Sequence, residues 1–268
     1  MDACDILGEG KMNVLVSVIM PTYNCGQYIA ESLDSVLAQT VTELEVQIVD
    51  DCSKDNTEEV LKPYLDRYPN IHYCRLPQNG GPAVARTEAI KRASGKYCAF
   101  LDSDDLWVPE KLEKQIGFME STGAKFSCTA YRQINMEGED LRKVIVPPNK
   151  TDYRKCIRLS NPIGNLTVMY NQETLGKFEV PMIQKRNDFA LWLQILKTTK
   201  YCYGMEEVLG YYRVGRKGSV SHNKLEQAKY HWQLYHEIEN HGIIRSAYEI
   251  GCWAFVKGTG IGLDRRHG

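Results

Sequence analysis

Hydrophobic positions between residues 14 and 101 fall into two patterns that alternate. Residues 14–20 (VLVSVIM) form a continuous β-branched run of strand length, closed by Pro21. An unbroken run marks a strand covered on both faces, as in a parallel sheet. Ile29, Leu33, Val36 and Leu37 then recur at i, i+4, i+7 and i+8, with Glu31, Asp34 and Gln39 opposite, which predicts a helix. A second strand follows at 44–49. Its helix is introduced by Asn56-Thr57-Glu58-Glu59, a capping box, and buries Val60, Leu61, Tyr64 and Leu65. Pro63 inside that stripe predicts a kink or an early stop. A third strand at 71–76 leads through a Gly-rich loop to Pro82, placed as a first helical residue ahead of Val84, Ala85, Ala89 and Ile90. The Ser94-Gly95 break precedes a fourth strand at 97–101.

This β-α-β-α-β-α-β alternation predicts a doubly wound parallel sheet with right-handed crossovers. In such sheets ligands bind beyond the carboxyl ends of the strands. Thr22-Tyr23-Asn24, Asp50-Asp51 and Asp102-Ser103-Asp104 all stand at those ends, so three strands deliver polar groups to one edge. The fourth strand closes on three carboxylates, Asp102, Asp104 and Asp105. Carboxylates this close stay ionised only with positive charge among them. Hard oxygen ligands suit Mn²⁺ or Mg²⁺, and with it a phosphate-bearing substrate. Taken alone, the string also fits a solvated acidic turn before the helix that Pro109 opens.

The second half reads as a helix over 111–119, a strand over 125–132, a polar loop over 135–150 and a strand over 165–170. Phe189, Leu191, Trp192, Ile195 and Leu196 predict a helix that starts near Asp188, and 208–214 reads as a strand. Trp192 suits the core or an acceptor platform. From Leu225 the chain looks helical, with Tyr230, Leu234, Ile238, Ile244, Tyr248 and Trp253 spaced as an apolar stripe. The stripe fits a helix packed on the rest of the protein, or a membrane-surface or partner contact. The Gly-rich tail reads as frayed.

Composition narrows the classes. The 268 residues are 43% hydrophobic and 25% charged, as in an ordinary globular protein with ample core. A formal net charge of -1 gives no sign of a nucleic-acid binder. No apolar run approaches the roughly 18 residues that span a bilayer, and the mean hydropathy is -0.40. The acidic start, MDACDILGEGK, lacks a signal-peptide pattern. Nine scattered cysteines without a CxxC pair read as reduced thiols, which points to a cytoplasmic address.

The strings VSVIMPTYN, IVDDCSKDNT, LPQNGGPAVARTEAI, ASGKYCAFLDSDDLWVPEKL and RNDFALWLQI, in this order, resemble glycosyltransferase family 2, of the GT-A fold. The resemblance covers about the first two-thirds of the chain. It implies an α/β GT-A fold: a Rossmann-like, mostly parallel sheet flanked by helices, here with a C-terminal helical extension. It also implies boundaries: an extension over 1–13, a nucleotide-sugar-binding half over 14–107, an acceptor-binding and catalytic half over 108–220, and a helical segment over 221–268. By the same resemblance Pro21, Thr22, Tyr23 and Asn24 cradle the base of a nucleotide-sugar donor, and Asp51 accepts from a uracil ring. Asp102 with Ser103 faces the ribose, Arg86 lies near the nucleotide, Asp104 binds the divalent metal, and Asp188 is the general base. Asp50 and Asp105 would support these charges. By residue type alone, Arg86 also suits a helix surface, Tyr23 the core, and Asp188 a helix N-cap.

Three positions depart from the family pattern. Cys52 stands where the family has Gly, and Asn187 where it has an acid. Arg213-Val214-Gly215 lacks the metal-site histidine of an Arg-x-His string, which leaves His222 as the nearest substitute ligand or as a solvated loop residue. The implied activity is inverting, metal-dependent transfer of a sugar from a UDP-sugar to a glycan or polyprenyl-linked acceptor. That would take place in surface polysaccharide synthesis, in the cytoplasm or at the inner face of the cell membrane through peripheral association. The alternatives are a nucleotide-sugar-binding module without activity, and a nucleotidyltransferase. The latter would need basic residues for a triphosphate near the first loop, and VIMPTYNCG has none.

Overall fold

The computed structural model of the chain describes residues 14–158, 161–215, 224–259 and 264–267. Strands and helices alternate as the periodicity predicts: β1 (Val16–Thr22), α1 (Ile29–Leu37), β2 (Leu44–Asp50), α2 (Thr57–Arg67), β3 (Ile71–Arg75), α3 (Pro82–Arg92) and β4 (Tyr97–Phe100). These four strands are parallel, in the order β3-β2-β1-β4. Every residue of β1 and β2 is buried, because helices cover both faces. Val18 and Met20 join Leu33 of α1 and Leu61 of α2 in one apolar layer. Ile19, between them, joins Ala89 and Ile90 of α3 in the other.

The chain continues through β5 (Leu106–Trp107), α4 (Lys111–Thr122), β6 (Phe126–Ile134), β7 (Asp140–Val146), β8 (Lys150–Asp152), α5 (Tyr153–Arg158) and β9 (Met169–Asn171). It closes with α6 (Gln172–Leu175), α7 (Asn187–Thr199), β10 (Tyr201–Arg213), α8 (Lys224–Trp232), α9 (Ile243–Thr259) and β11 (Asp264–His267). β9 lies antiparallel between β4 and β6 and so splices the second half onto the first. β10 runs parallel to β6 and antiparallel to β5 and β8. α7 shares the apolar layer of α3. Its Trp192 is fully buried, edge-on to Phe100 with ring centroids 4.9 Å apart, so it is a core residue.

Several elements differ from their sequence reading. The expected loop over 135–150 contains β7, paired antiparallel with β6. Asn135 makes that turn: its Oδ1 accepts the N–H groups of Glu137 and Glu139, and Gly138 takes the left-handed φ of 85°. The expected strand over 165–170 begins as a 3₁₀ turn, Asn165–Thr167, and only Met169–Asn171 pairs. α2 runs straight through Pro63, which is exposed, so the carbonyl it strands faces water. The cap of α2 comes from Asp55 in place of Asn56. Asp55 accepts from Thr57 N (3.1 Å) and Thr57 Oγ1 (2.5 Å). Part of the tail, β11, pairs with β7. In the expected C-terminal stripe Trp253 is buried, whereas Ile244 and Tyr248 are exposed.

Candidate active site

The site begins where the sheet parts. β1 and β4 pair only as far as Ile19 and Phe100, while β1 and β2 continue to Thr22 and Asp50. With the order β3-β2-β1-β4, the chain turns back beside β1, and the carboxyl ends of β1 and β4 border the crevice such sheets use for ligands. Pro21 and Thr22 form the buried end of β1, and the buried Thr22 Oγ1 has no hydrogen-bond partner. Tyr23, which could have been core, is 41% exposed. Asn24 takes φ 48°, a conformation Asn tolerates, and ties this loop to the next. Its N–H donates to Ser53 Oγ at 2.8 Å, and its Oδ1 accepts Lys54 N–H at 2.7 Å.

The two aspartates after β2 do different work. Asp50 is fully buried and accepts from Ser53 N–H, Ser53 Oγ and the Tyr73 hydroxyl. Asp51 receives Gly80 N–H at 2.6 Å and Gly81 N–H at 2.8 Å, one on each oxygen. Burial pushes the Asp51 carboxyl up, those two N–H groups oppose it, and the charge of Asp50 adds to the rise. Gly81 suits this place because its φ of 85° would strain any other residue. Cys52, in the family's glycine position, holds φ 64° without that freedom.

Beyond β4 burial alternates. Asp102 and Asp104 are half-buried, whereas Ser103 and Asp105 are buried. Ser103 thus lies beneath the loop, where its carbonyl accepts the Cys25 thiol at 3.2 Å. Asp105 accepts Arg213 N–H at 2.9 Å, and its other oxygen is unpaired. Burial, then the charges of Asp104 and Asp102, push the Asp105 carboxyl well above the ordinary range. The Arg213 side chain locks the same loop. It donates to the Asp104 carbonyl (3.0 Å), to Met136 O (2.8 Å) and to Glu31 (2.6 Å), and its guanidinium lies over the Tyr28 ring.

Arg86 joins this loop to α7. It is 4% exposed: one nitrogen donates to Asp102 Oδ1 at 2.9 Å and another to Asn187 Oδ1, while Nε remains unpaired. Asp188 is the second residue of α7, since Arg186 occupies the N-cap position with φ 67°. Asn161 Nδ2 approaches Asp188 Oδ2 at 3.5 Å. One guanidinium therefore holds Asp102, at the end of β4, next to the residue that precedes Asp188.

The profile of Glycosyl transferase family 2 matches residues 17–176, more than half of the chain and all of the strands that border the crevice. The chain is a family 2 glycosyltransferase. It is 42% identical over 243 residues to a Bacillus subtilis (strain 168) protein named as the teichuronic acid biosynthesis glycosyltransferase TuaG, covering 91% of this chain and 94% of that one. It is 35% identical over 235 residues to the Escherichia coli UDP-Glc:alpha-D-GlcNAc-diphosphoundecaprenol beta-1,3-glucosyltransferase WfgD, covering 87% and 90%. Among solved structures, S. aureus TarS 1-349 in complex with UDP-GlcNAc aligns with a TM-score of 0.66 at 23% identity, covering 90% of this chain and 71% of that one. The mannosyltransferase PcManGT from Pyrobaculum calidifontis, in complex with GDP-Man and Mn²⁺, aligns with a TM-score of 0.61 at 18% identity, covering 96% and 79%. These structures share the GT-A fold of this glycosyltransferase.

Of the residues singled out in the glycosyltransferase sequence, Pro21, Thr22, Tyr23, Asn24, Asp51, Asp102 and Asp104 gather where the sheet parts, and Arg86 brings Asp188 to them. His222 lies outside the described residues. Among the described residues no three His, Cys, Asp or Glu side chains cluster as a metal site. The carboxylates after β4 nevertheless fit a divalent ion. They are hard oxygen donors, their mutual repulsion acts on Asp105, and Asp105 keeps a buried unpaired oxygen beside them. Sequence reasoning missed Arg213, Asn187 and Asn161 as parts of the site. Arg213 carried a signal, since it heads the string that lacks the histidine. Asn187 looked only like a lost acid.

Proposed function

We propose that this glycosyltransferase is inverting and metal-dependent, and moves a sugar from a UDP-sugar to a glycan or polyprenyl-linked acceptor in surface polysaccharide synthesis. The observation that carries the reading is the Asp102–Arg86–Asn187 bridge, which sets Asp188 beside the crevice where a nucleotide would lie. Asp51, acceptor-only when ionised, suits the imide N–H of uracil and has lone pairs left beyond those used by Gly80 and Gly81. Asp102 would face the ribose, and Asp104 would hold Mn²⁺ or Mg²⁺. Such an ion supplies charge neutralisation for the departing diphosphate. The name of TuaG supports the polysaccharide setting, and that of WfgD supports a UDP-sugar donor and a lipid-linked acceptor.

The acceptor hydroxyl attacks the anomeric carbon while the Asp188 carboxylate takes its proton. The carbon–oxygen bond to the diphosphate breaks on the opposite face, and its electron pair leaves with the nucleotide. One displacement gives inversion. A positioned base contributes roughly 10²- to 10⁴-fold. UDP release from a panel of UDP-sugars, with Mn²⁺ or with EDTA, tests the assignment. Asp188→Asn should lower kcat by at least about 10²-fold while UDP still binds, and Asp104→Ala should lose both activity and the response to Mn²⁺. Wild-type turnover in Asp188→Asn, or no UDP release from any donor and acceptor tried, would refute it.

A further inference from the structure

α9 turns part of its apolar surface outward. Ser246, Glu249, Trp253 and Val256 are buried, so two of its polar side chains face the protein. Glu249 is held there by His241 at 2.6 Å and Arg245 at 3.1 Å. Ile244, Tyr248 and Phe255, at i, i+4 and i+11, are instead 88%, 58% and 61% exposed. Gly251 lies on the same face, and Ile243 beside it is 66% exposed. Between 243 and 256 the only charged side chain on the outer side is Arg245. A helix that buries Ser246 and Glu249 beside Trp253, and turns Ile244, Tyr248 and Phe255 to solvent, carries a second apolar face on its outer side.

The border of that face is basic. α5 packs against α9 and carries Arg154, Lys155 and Arg158, all exposed. A shallow groove of about 410 Å³ runs between the two helices, lined by Arg158, Tyr248, Gly251, Cys252, Phe255 and Val256. In a chain of net charge -1, three cations in a six-residue helix are a local feature. We propose that α9 and α5 form a docking face for an anionic phospholipid bilayer, with Ile244, Tyr248 and Phe255 entering the headgroup–acyl boundary and the α5 cations meeting lipid phosphates. The face is also close to the chemistry. Arg158 precedes Asn161 by three residues, a span of at most about 11 Å of backbone, and Asn161 approaches Asp188.

The face stands apart from the transferase reading, and only its purpose, bringing Asp188 to membrane-borne acceptors, rests on that reading. The test is flotation of the full chain, without donor or acceptor, with phosphatidylcholine vesicles and with equal mixtures of phosphatidylcholine and phosphatidylglycerol. Wild type should float with the anionic vesicles and stay largely free with the neutral ones. Ile244→Ser and Phe255→Ser, made singly and together, should keep the wild-type melting temperature because both positions are exposed. The pair should weaken binding about tenfold or more, and Arg154→Glu with Arg158→Glu should do the same. If the wild type ignores anionic vesicles, or if all these variants bind as well as it does, the proposal falls. It falls equally if sedimentation shows a dimer that Ile244→Ser and Phe255→Ser dissociate, since a second copy then covers the face. Failure of these assays would leave UDP release untouched, so the two readings fail separately.

Discussion

Arg86 does what no carboxylate at the crevice can do alone. Its planar fork reaches an oxygen on β4's loop and another on α7, the first contact half-buried and the second buried. A lysine offers a point charge that cannot span the two acceptors in that geometry. Arg86→Lys should therefore leave the protein folded yet lower kcat/KM for sugar transfer by about 10²-fold, the usual effect of misplacing a reacting group by an ångström. UDP-release kinetics together with a melting curve separate that outcome from simple destabilisation. The bridge also accounts for the departure at Asn187. The amide oxygen accepts from Arg86 as a carboxylate oxygen would, so the position keeps its contact while losing its charge. Cys52 is the opposite case. Its left-handed φ costs an L-residue roughly 1–2 kcal/mol that Gly would be spared.

The loops at the carboxyl ends of β1 and β2 act as one element. Gly26 N–H donates to Asp55 Oδ2 at 3.0 Å, Cys25 N–H to Thr57 Oγ1 at 2.9 Å, and Asn24 bonds both Ser53 and Lys54. Asp55 thus caps α2 and pins the loop that would cradle the base. Burial pushes its carboxyl up, but the hydrogen bonds from Thr57 and Gly26 outweigh it and hold it below the ordinary range. A pKa lowered by folding adds stability that is present above the unfolded value and lost as pH falls through the folded one. Asp55→Ala should cost about 1 kcal/mol at pH 7, a typical cap value. The difference should close as the pH is lowered from about 4. Urea unfolding of both proteins across that range measures it, and a constant gap would mean that the cap does not depend on the charge. The start of α2 near Asn56 was readable, but the capping box expected of Asn56 does not form and the residue that caps instead, Asp55, was not readable. Asp55 is chosen by Gly26, which lies 29 residues away.

At the scale of the molecule the site is a junction between halves. β4 and β9 splice the second half onto the parallel sheet, Arg213 of β10 clamps the Asp104–Asp105 loop, and α7 brings Asp188 across. Both halves must be folded and joined for the crevice to exist, so a ligand spanning it should stabilise the whole chain. On the proposed reading, UDP at about a hundred times its Kd adds roughly 2.7 kcal/mol, seen as a rise in Tm that grows with concentration. Mn²⁺ should enlarge that rise in the wild type and not in Asp104→Ala. A Tm unmoved by UDP at any concentration would remove the nucleotide from the crevice.

The sequence by itself determined the first half of the fold, the family, and the edge at which polar loops converge. Its signals there are local or directly periodic: continuous apolar runs on strands covered twice, 3.6-residue stripes on helices, and carboxylates adjacent in the chain. Tertiary structure alone decided which polar residues became partners. Arg86 meets Asn187 across 101 positions, and Arg213 meets Asp105 across 108. Such contacts leave no period for a single chain to display. The pairing of β7 and the pass of α2 through Pro63 depend likewise on a neighbouring strand and on exposure to water. So does the outward turn of Ile244 and Tyr248 on α9, since their spacing puts them on one face without saying which face meets the protein, and the buried Trp253 stands on the other.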